Sequence, residues 1–128
     1  MPIKVLLVDD DEAFRSVTAI ALVSRGYVVS EAADGGAALE LLRRDRPDVI
    51  ISDLNMPGLD GRALCQSVRA DPYLAGIPFV ILSALIERDA TGDPAELRPE
   101  LRADCCLSKQ TPFWQILRRI EALATRLS

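Results

Sequence analysis

Histidine is missing altogether from the 128 residues of this chain. That absence excludes histidine-ligated zinc, Ser–His–Asp triads and any phosphohistidine carried by the chain itself. Cysteine is scarce, and three of them in an unsecreted chain make no disulfide framework. Apolar runs stop after a handful of residues, far short of a membrane span. The N-terminus, MPIKVLLVDDDE, turns acidic too soon for a signal peptide, so the cytoplasm is the expected location. Positive charge is in deficit: 15 basic against 19 acidic residues give a net charge of −4 and a pI of about 4.8. That balance argues against unaided binding of nucleic acid. Lysine is rarer still, because arginine fills 13 of the 15 basic positions and leaves only Lys4 and Lys109. There is no linker, internal repeat or low-complexity stretch, so residues 1–128 read as one domain. What is present is apolar material, 49% of the chain beside 27% charged, which is enough for a proper core.

That material is ordered in short alternating blocks. Val5-Leu6-Leu7-Val8, Val28-Val29, Val49-Ile50-Ile51, Phe79-Val80-Ile81-Leu82 and Cys105-Cys106-Leu107 read as five strands. Three are nearly continuous apolar runs, as expected when both faces of a parallel sheet are covered. Between them lie helical patterns: Ala13, Val17 and Ile20 on one face, Ala38, Leu41 and Leu42 on another, Leu64 and Val68 on a third. Ile116, Ile120, Leu123 and Leu127 form the stripe of the last helix, with Thr111 as its expected N-cap and Pro112 at its first position. Asp60 is expected to cap the third helix and Gly26 to end the first. Strands and helices in alternation imply right-handed βαβ units, hence an α/β domain with a doubly wound five-stranded parallel sheet, order 2-1-3-4-5, and helices on both faces. The stretch 85–102 fits this least well, since Gly92, Pro94 and Pro99 predict an irregular fourth helix.

Such sheets bind ligands beyond the carboxyl ends of their strands. Here those ends read Asp9-Asp10-Asp11-Glu12, Ser52-Asp53, Ser83-Ala84 and Ser108-Lys109, bringing carboxylates, a hydroxyl and an ammonium to one edge. Any one of them is ordinary at an exposed strand end, and the acidic run alone would pass for a solvated face. Carboxylates that close repel unless a cation joins them, and hard oxygen ligands without nitrogen or sulfur favour Mg²⁺. A cation, a lysine and a hydroxyl around one carboxylate suit phosphoryl transfer to that carboxylate.

Four segments carry a family resemblance: VLLVDDDEAFR, DVIISDLNMPGLDG, PFVILSA and CLSK. Through them essentially the whole chain resembles the receiver domain of two-component response regulators, CheY-like in fold. The resemblance implies Asp53 as phosphoacceptor and Mg²⁺ ligand, Asp10 as a direct Mg²⁺ ligand, Asp9 as a ligand through water, and the Asn55 main-chain carbonyl completing the set. It implies Ser83 as the switch hydroxyl and Lys109 as the partner of the phosphoryl group. It implies a donor, either a histidine kinase or a histidine phosphotransfer protein, and an output by contact with an unknown protein. A homodimer is left open. No effector domain, membrane contact or direct nucleic-acid contact is expected, and no enzymatic turnover beyond phosphorylation and dephosphorylation of Asp53 itself.

Two departures mark this chain. Gln110 stands where the family usually has proline after the lysine, so a trans bond is expected there. Cys106 occupies the position of an aromatic that often rotates on activation, and a cysteine has no ring to swing. The output face is therefore read as unorthodox, with Cys106 and Trp114 as its candidate positions. Cys65, Cys105 and Cys106 are expected to be buried, and Arg43-Arg44-Asp45-Arg46 to form a solvated helix end. Three other functions compete. A phosphate-independent interaction module is kept open by Cys106 and Gln110. A small aspartyl-phosphate phosphatase is disfavoured for want of a substrate-holding cap. A flavin mononucleotide carrier is excluded, because Asp9 to Glu12 would repel the phosphate.

Overall fold

A computed structural model describes residues 2–84 and 103–125. The expected irregular fourth helix, within 85–102, lies outside the described residues, as does Leu127. The elements run β1 (Lys4–Val8), α1 (Glu12–Ser24), β2 (Val28–Ala32), α2 (Gly35–Arg44), β3 (Val49–Asp53), α3 (Gly61–Ala70), β4 (Phe79–Ser83), β5 (Cys105–Ser108) and α4 (Phe113–Thr125). The sheet is parallel throughout, with order β2-β1-β3-β4-β5, as the alternation of apolar runs and helical stripes predicts.

Because strand side chains alternate between faces, each run supplies two cores at once. Leu6, Val8, Ile50, Phe79, Ile81 and Cys106 face α2 and α3, where Ala38, Leu42, Leu64, Cys65 and Val68 complete one cluster. Val5, Leu7, Val49, Ile51, Val80, Leu82 and Cys105 face the other way, onto Leu22 of α1 and onto Ile116, Leu117 and Ile120 of α4. All three cysteines are buried, as expected, and the adjacent pair Cys105 and Cys106 is divided between opposite faces of the sheet. At the amino edge, Asp104 accepts from Arg69 at 2.9 Å and from the Phe79 main chain at 2.8 Å, tying α3 to the start of β4.

Three helices begin on the same device. The side chains of Asp11, Asp34 and Asp60 each accept from a main-chain N–H three residues on, at 2.8–3.1 Å, a cap worth about 1 kcal/mol. Of the three, Asp60 is the cap expected from the sequence. Gly26, at φ 91°, ends α1 as expected, since the left-handed region favours glycine. The last helix is counted from Phe113 rather than Pro112, although the Pro112 carbonyl already accepts from Gln115 and Ile116.

One helical face is corrected by the structure. Val17 and Ile20 are 69% and 70% exposed, and α1 instead buries Thr18, Ala19 and Leu22. The helix is apolar nearly all round, so its pattern does not single out a face. Packed over β1 and β2, the helix turns Thr18, Ala19 and Leu22 inward, and Leu22 joins the core with Val5 and Leu7.

Candidate functional site

The register brings the carboxyl ends of four strands level. Val8 pairs with Ser52, Asp53 with Leu82, and Ser83 with Ser108. The chain leaves β1 for β2 on one side and reaches β3 on the other, so the crevice opens above β1 and β3. Asp9 and Asp10 follow β1, Asp53 ends β3, Ser83 ends β4, and Lys109 follows β5.

Oxygens of Asp9, Asp10 and Asp53 all lie within 4.8 Å of one another. Asp9 is 2% exposed, Asp53 is also buried, and Asp10 opens to solvent. The Asp9 carboxylate accepts from the Asp11 main chain at 2.9 Å, and its own carbonyl accepts from Arg15 at 2.8 Å, fixing the loop after β1 from α1. The four-residue acidic run is thereby divided. Asp9 and Asp10 turn into the crevice, while Asp11 caps α1 and Glu12 enters its first turn.

Lys109 supplies the opposing charge. Its ammonium is 2.8 Å from Asp9 and 3.5 Å from Asp53, and its main-chain N–H donates to the Ser83 carbonyl at 2.9 Å. The peptide bond to Gln110 is trans, as expected, and the turn is held by the Gln110 N–H donating to Ser108 Oγ at 3.0 Å. The ammonium also lies over the face of the Phe14 ring, 4.5 Å from its centroid. Sequence reasoning missed Phe14 and Arg15. The available signal was their spacing, one helical turn beyond Asp10 and Asp11, which aims them back at the loop they follow.

These contacts set the ionisation of the site. Burial pushes the Asp53 carboxyl up to about 6, and repulsion from Asp9 adds to the rise, with Lys109 and the Asn55 N–H acting against it. Lys109 is moved the other way from what burial favours, because its hydrogen bond to Asp9 and the charges of Asp9 and Asp53 hold the ammonium protonated. An acidic pocket of hard oxygens, without nitrogen or sulfur donors among them, fits Mg²⁺. Ser83 is fully buried at the end of β4, and Asn55 is exposed at the start of the loop after Asp53.

That loop is fitted tightly. The Gly61 N–H donates to the Leu54 carbonyl at 2.9 Å, and a Cβ at Gly61 would collide with the main-chain oxygen of Asp53. Alanine ordinarily favours a helix over glycine. Here Gly61→Ala is expected to lower stability by about 2 kcal/mol in urea unfolding, the cost of overpacking against rigid backbone.

Trp114 is 54% exposed on α4, and Cys106 is buried within β5 on the face packed against α2 and α3. Arg43 and Arg44 end α2 in solvent, as expected.

The model of the response regulator receiver domain family matches residues 5–121. Among relatives, the response regulator MprA of Mycolicibacterium vanbaalenii is 36% identical over 126 residues, 98% of this chain and 52% of that protein. The chain thus spans about half the length of curated relatives of this kind. Among solved structures, the receiver domain of a signal transduction histidine kinase from Syntrophus aciditrophicus superposes with a TM-score of 0.87 at 28% identity, covering 98% of this chain and 92% of that one. The Vibrio cholerae chemotaxis protein CheY4 gives 0.84 at 30% identity, covering 96% and 99%.

Proposed function

The chain belongs to the response regulator receiver domain family, and on that footing we propose that it is a phosphorylation-dependent switch whose phosphoacceptor is Asp53. Proteins of this family are signalling switches of two-component systems that work with histidine kinases or phosphotransfer proteins. The observation that carries the reading is the Asp53 carboxylate within 4.8 Å of two further carboxylates and 3.5 Å from an ammonium. Among the described residues no helix is long and apolar enough to cross a membrane.

The roles follow from the groups. A carboxylate oxygen of Asp53 attacks the phosphorus of a partner's phosphohistidine, the O–P bond forms, the N–P bond breaks, and the imidazole leaves with the bonding pair. Asp9, Asp10, Asp53 and the Asn55 carbonyl would hold Mg²⁺, which would supply positive charge to neutralise the phosphoryl oxygens as charge shifts among them. Lys109 gives up part of its contact with Asp9 and pairs with the new phosphoryl group. The Ser83 hydroxyl donates to another phosphoryl oxygen. Asp53 must be ionised to attack, and the cation and Lys109 both favour that form against the rise caused by burial. The new dianion then biases an existing equilibrium between two conformations, which a partner protein reads.

The test is intact mass after incubation with acetyl phosphate and Mg²⁺, with Asp53→Ala and EDTA as controls. One added phosphoryl group, absent from both controls, is the expected result. No addition to a folded protein shown to bind Mg²⁺ would sink the reading and leave a module that binds its partner without phosphate.

A further inference from the structure

Lys109 is held by two kinds of neighbour. Asp9 and Asp53 attract it by charge, at 2.8 Å and 3.5 Å, and both belong to the acidic cluster. Phe14 attracts it differently, through the negative face of a ring 4.5 Å away. The distinction matters because the carboxylates change partners when the site is loaded. A divalent cation held among Asp9, Asp10 and Asp53 would take up the charge that holds the ammonium, and would add a repulsion of its own. The ring has no charge to be neutralised, so its attraction persists through that exchange. Phe14 is itself fixed, half-buried on α1 against the core cluster of Leu22, Leu82 and Ile116. Its helix starts from the Asp11 cap directly after the acidic pair, so ring and carboxylates are set by one short segment.

We propose that Phe14 is a positioning residue for phosphoryl transfer, its ring face keeping the Lys109 ammonium over Asp53 while the carboxylates engage a divalent cation. The proposal rests on the receiver reading above and assigns that site a component drawn from α1. Phe14 does not touch the reacting atoms; it acts through Lys109.

Phosphorylation by acetyl phosphate with Mg²⁺ tests it in the full chain. Phe14→Leu is expected to slow the reaction by about tenfold, the value of a partly desolvated cation–π contact. Phe14→Tyr, which retains the ring face, is expected to stay within about twofold of the parent. Phe14→Met fills similar volume without a ring and should behave as the leucine variant does, which separates the ring from packing. A second readout is independent of turnover. With only Lys4 and Lys109 in the chain, Lys4→Arg assigns the lysine methylene signals in an NMR spectrum. The Lys109 Cε protons are expected upfield of the ordinary position, displaced by the ring current. The displacement should persist on adding Mg²⁺, vanish in Phe14→Leu and return in Phe14→Tyr. Parent-like rates in both ringless variants, or Lys109 signals at the ordinary position with Mg²⁺ present, would overturn the proposal while leaving the receiver reading intact. Failure of the unsubstituted protein to be phosphorylated would overturn the receiver reading itself, and with it the role given to Phe14.

Discussion

Asp53→Asn is expected to abolish phosphorylation and at the same time to make the protein more stable. The two effects have one source. Folding buries the Asp53 carboxyl beside Asp9 and raises its pKa from 3.8 to about 6. An acid raised on folding costs the native state nothing below its unfolded pKa, and the cost grows as pH climbs until it is complete above the folded value. At pH 7 the native state therefore carries the full burden of an ionised Asp53, on the order of 2 kcal/mol once partial solvent screening is allowed for. The amide carries none of it. In urea unfolding at pH 7 the variant should gain about that much, and near pH 4 the gain should fade as Asp53 in the parent protonates. Millimolar Mg²⁺ should narrow the gap by binding only the folded parent, and EDTA should reopen it. An asparagine variant less stable than the parent at pH 7 would show that Lys109 outweighs burial and Asp9.

Lys109→Ala is expected to move stability the other way. Removing the ammonium leaves Asp9 and Asp53 facing one another with their common counter-ion gone. Breaking a largely buried ion pair from one side costs about 3 kcal/mol, because the surviving charge stays desolvated. The loss should be smaller at pH 5 than at pH 7, because the Asp53 carboxyl, raised to about 6 even with Lys109 present, is protonated at the lower pH in both proteins. Lys109→Met keeps most of the aliphatic stem, so an equal loss there would assign the effect to charge and not to packing. Phosphorylation should fall by about a hundredfold or more in both variants, as when a fixed charge is withdrawn from a developing anion. Chemical denaturation at pH 7 and pH 5, run beside the mass assay, measures both effects. A penalty independent of pH would refute the electrostatic account.

Much of this arrangement was legible in the sequence because period and position agree. Short, β-branched apolar runs such as Val49-Ile50-Ile51 read as strands covered on both faces, and each is followed by the polar residue that the register carries to the sheet edge. The gathering of Asp9, Asp53, Ser83 and Lys109 at one edge needed no more than the strand order. What escaped was whatever depends on direction rather than period. Val17 and Ile20 share a helical face, yet nothing local says whether that face meets the sheet, and α1 has apolar residues on every side. Asp11 is chemically the same as its neighbours Asp9 and Asp10, and only the start of α1 separates a cap from a candidate ligand. Phe14 looked like one more apolar residue on a helix. Its contact with Lys109 joins residues at opposite ends of the chain and leaves no periodic trace.

The division of the cysteines between the two faces of the sheet gives this molecule an internal pair of gauges. Cys65 and Cys106 sit in the layer with α2 and α3, and Cys105 sits in the layer with α1 and α4. None can meet a reagent until its layer parts, and burial also keeps the Cys105 thiol protonated, hence unreactive, in the closed state. The rate at which each sulfur becomes alkylated thus records the opening of one particular side of the sheet, with no cysteine introduced by mutation. The loosening of the layer that carries Phe14 and the last helix can be timed separately from that of its opposite, in a single protein sample.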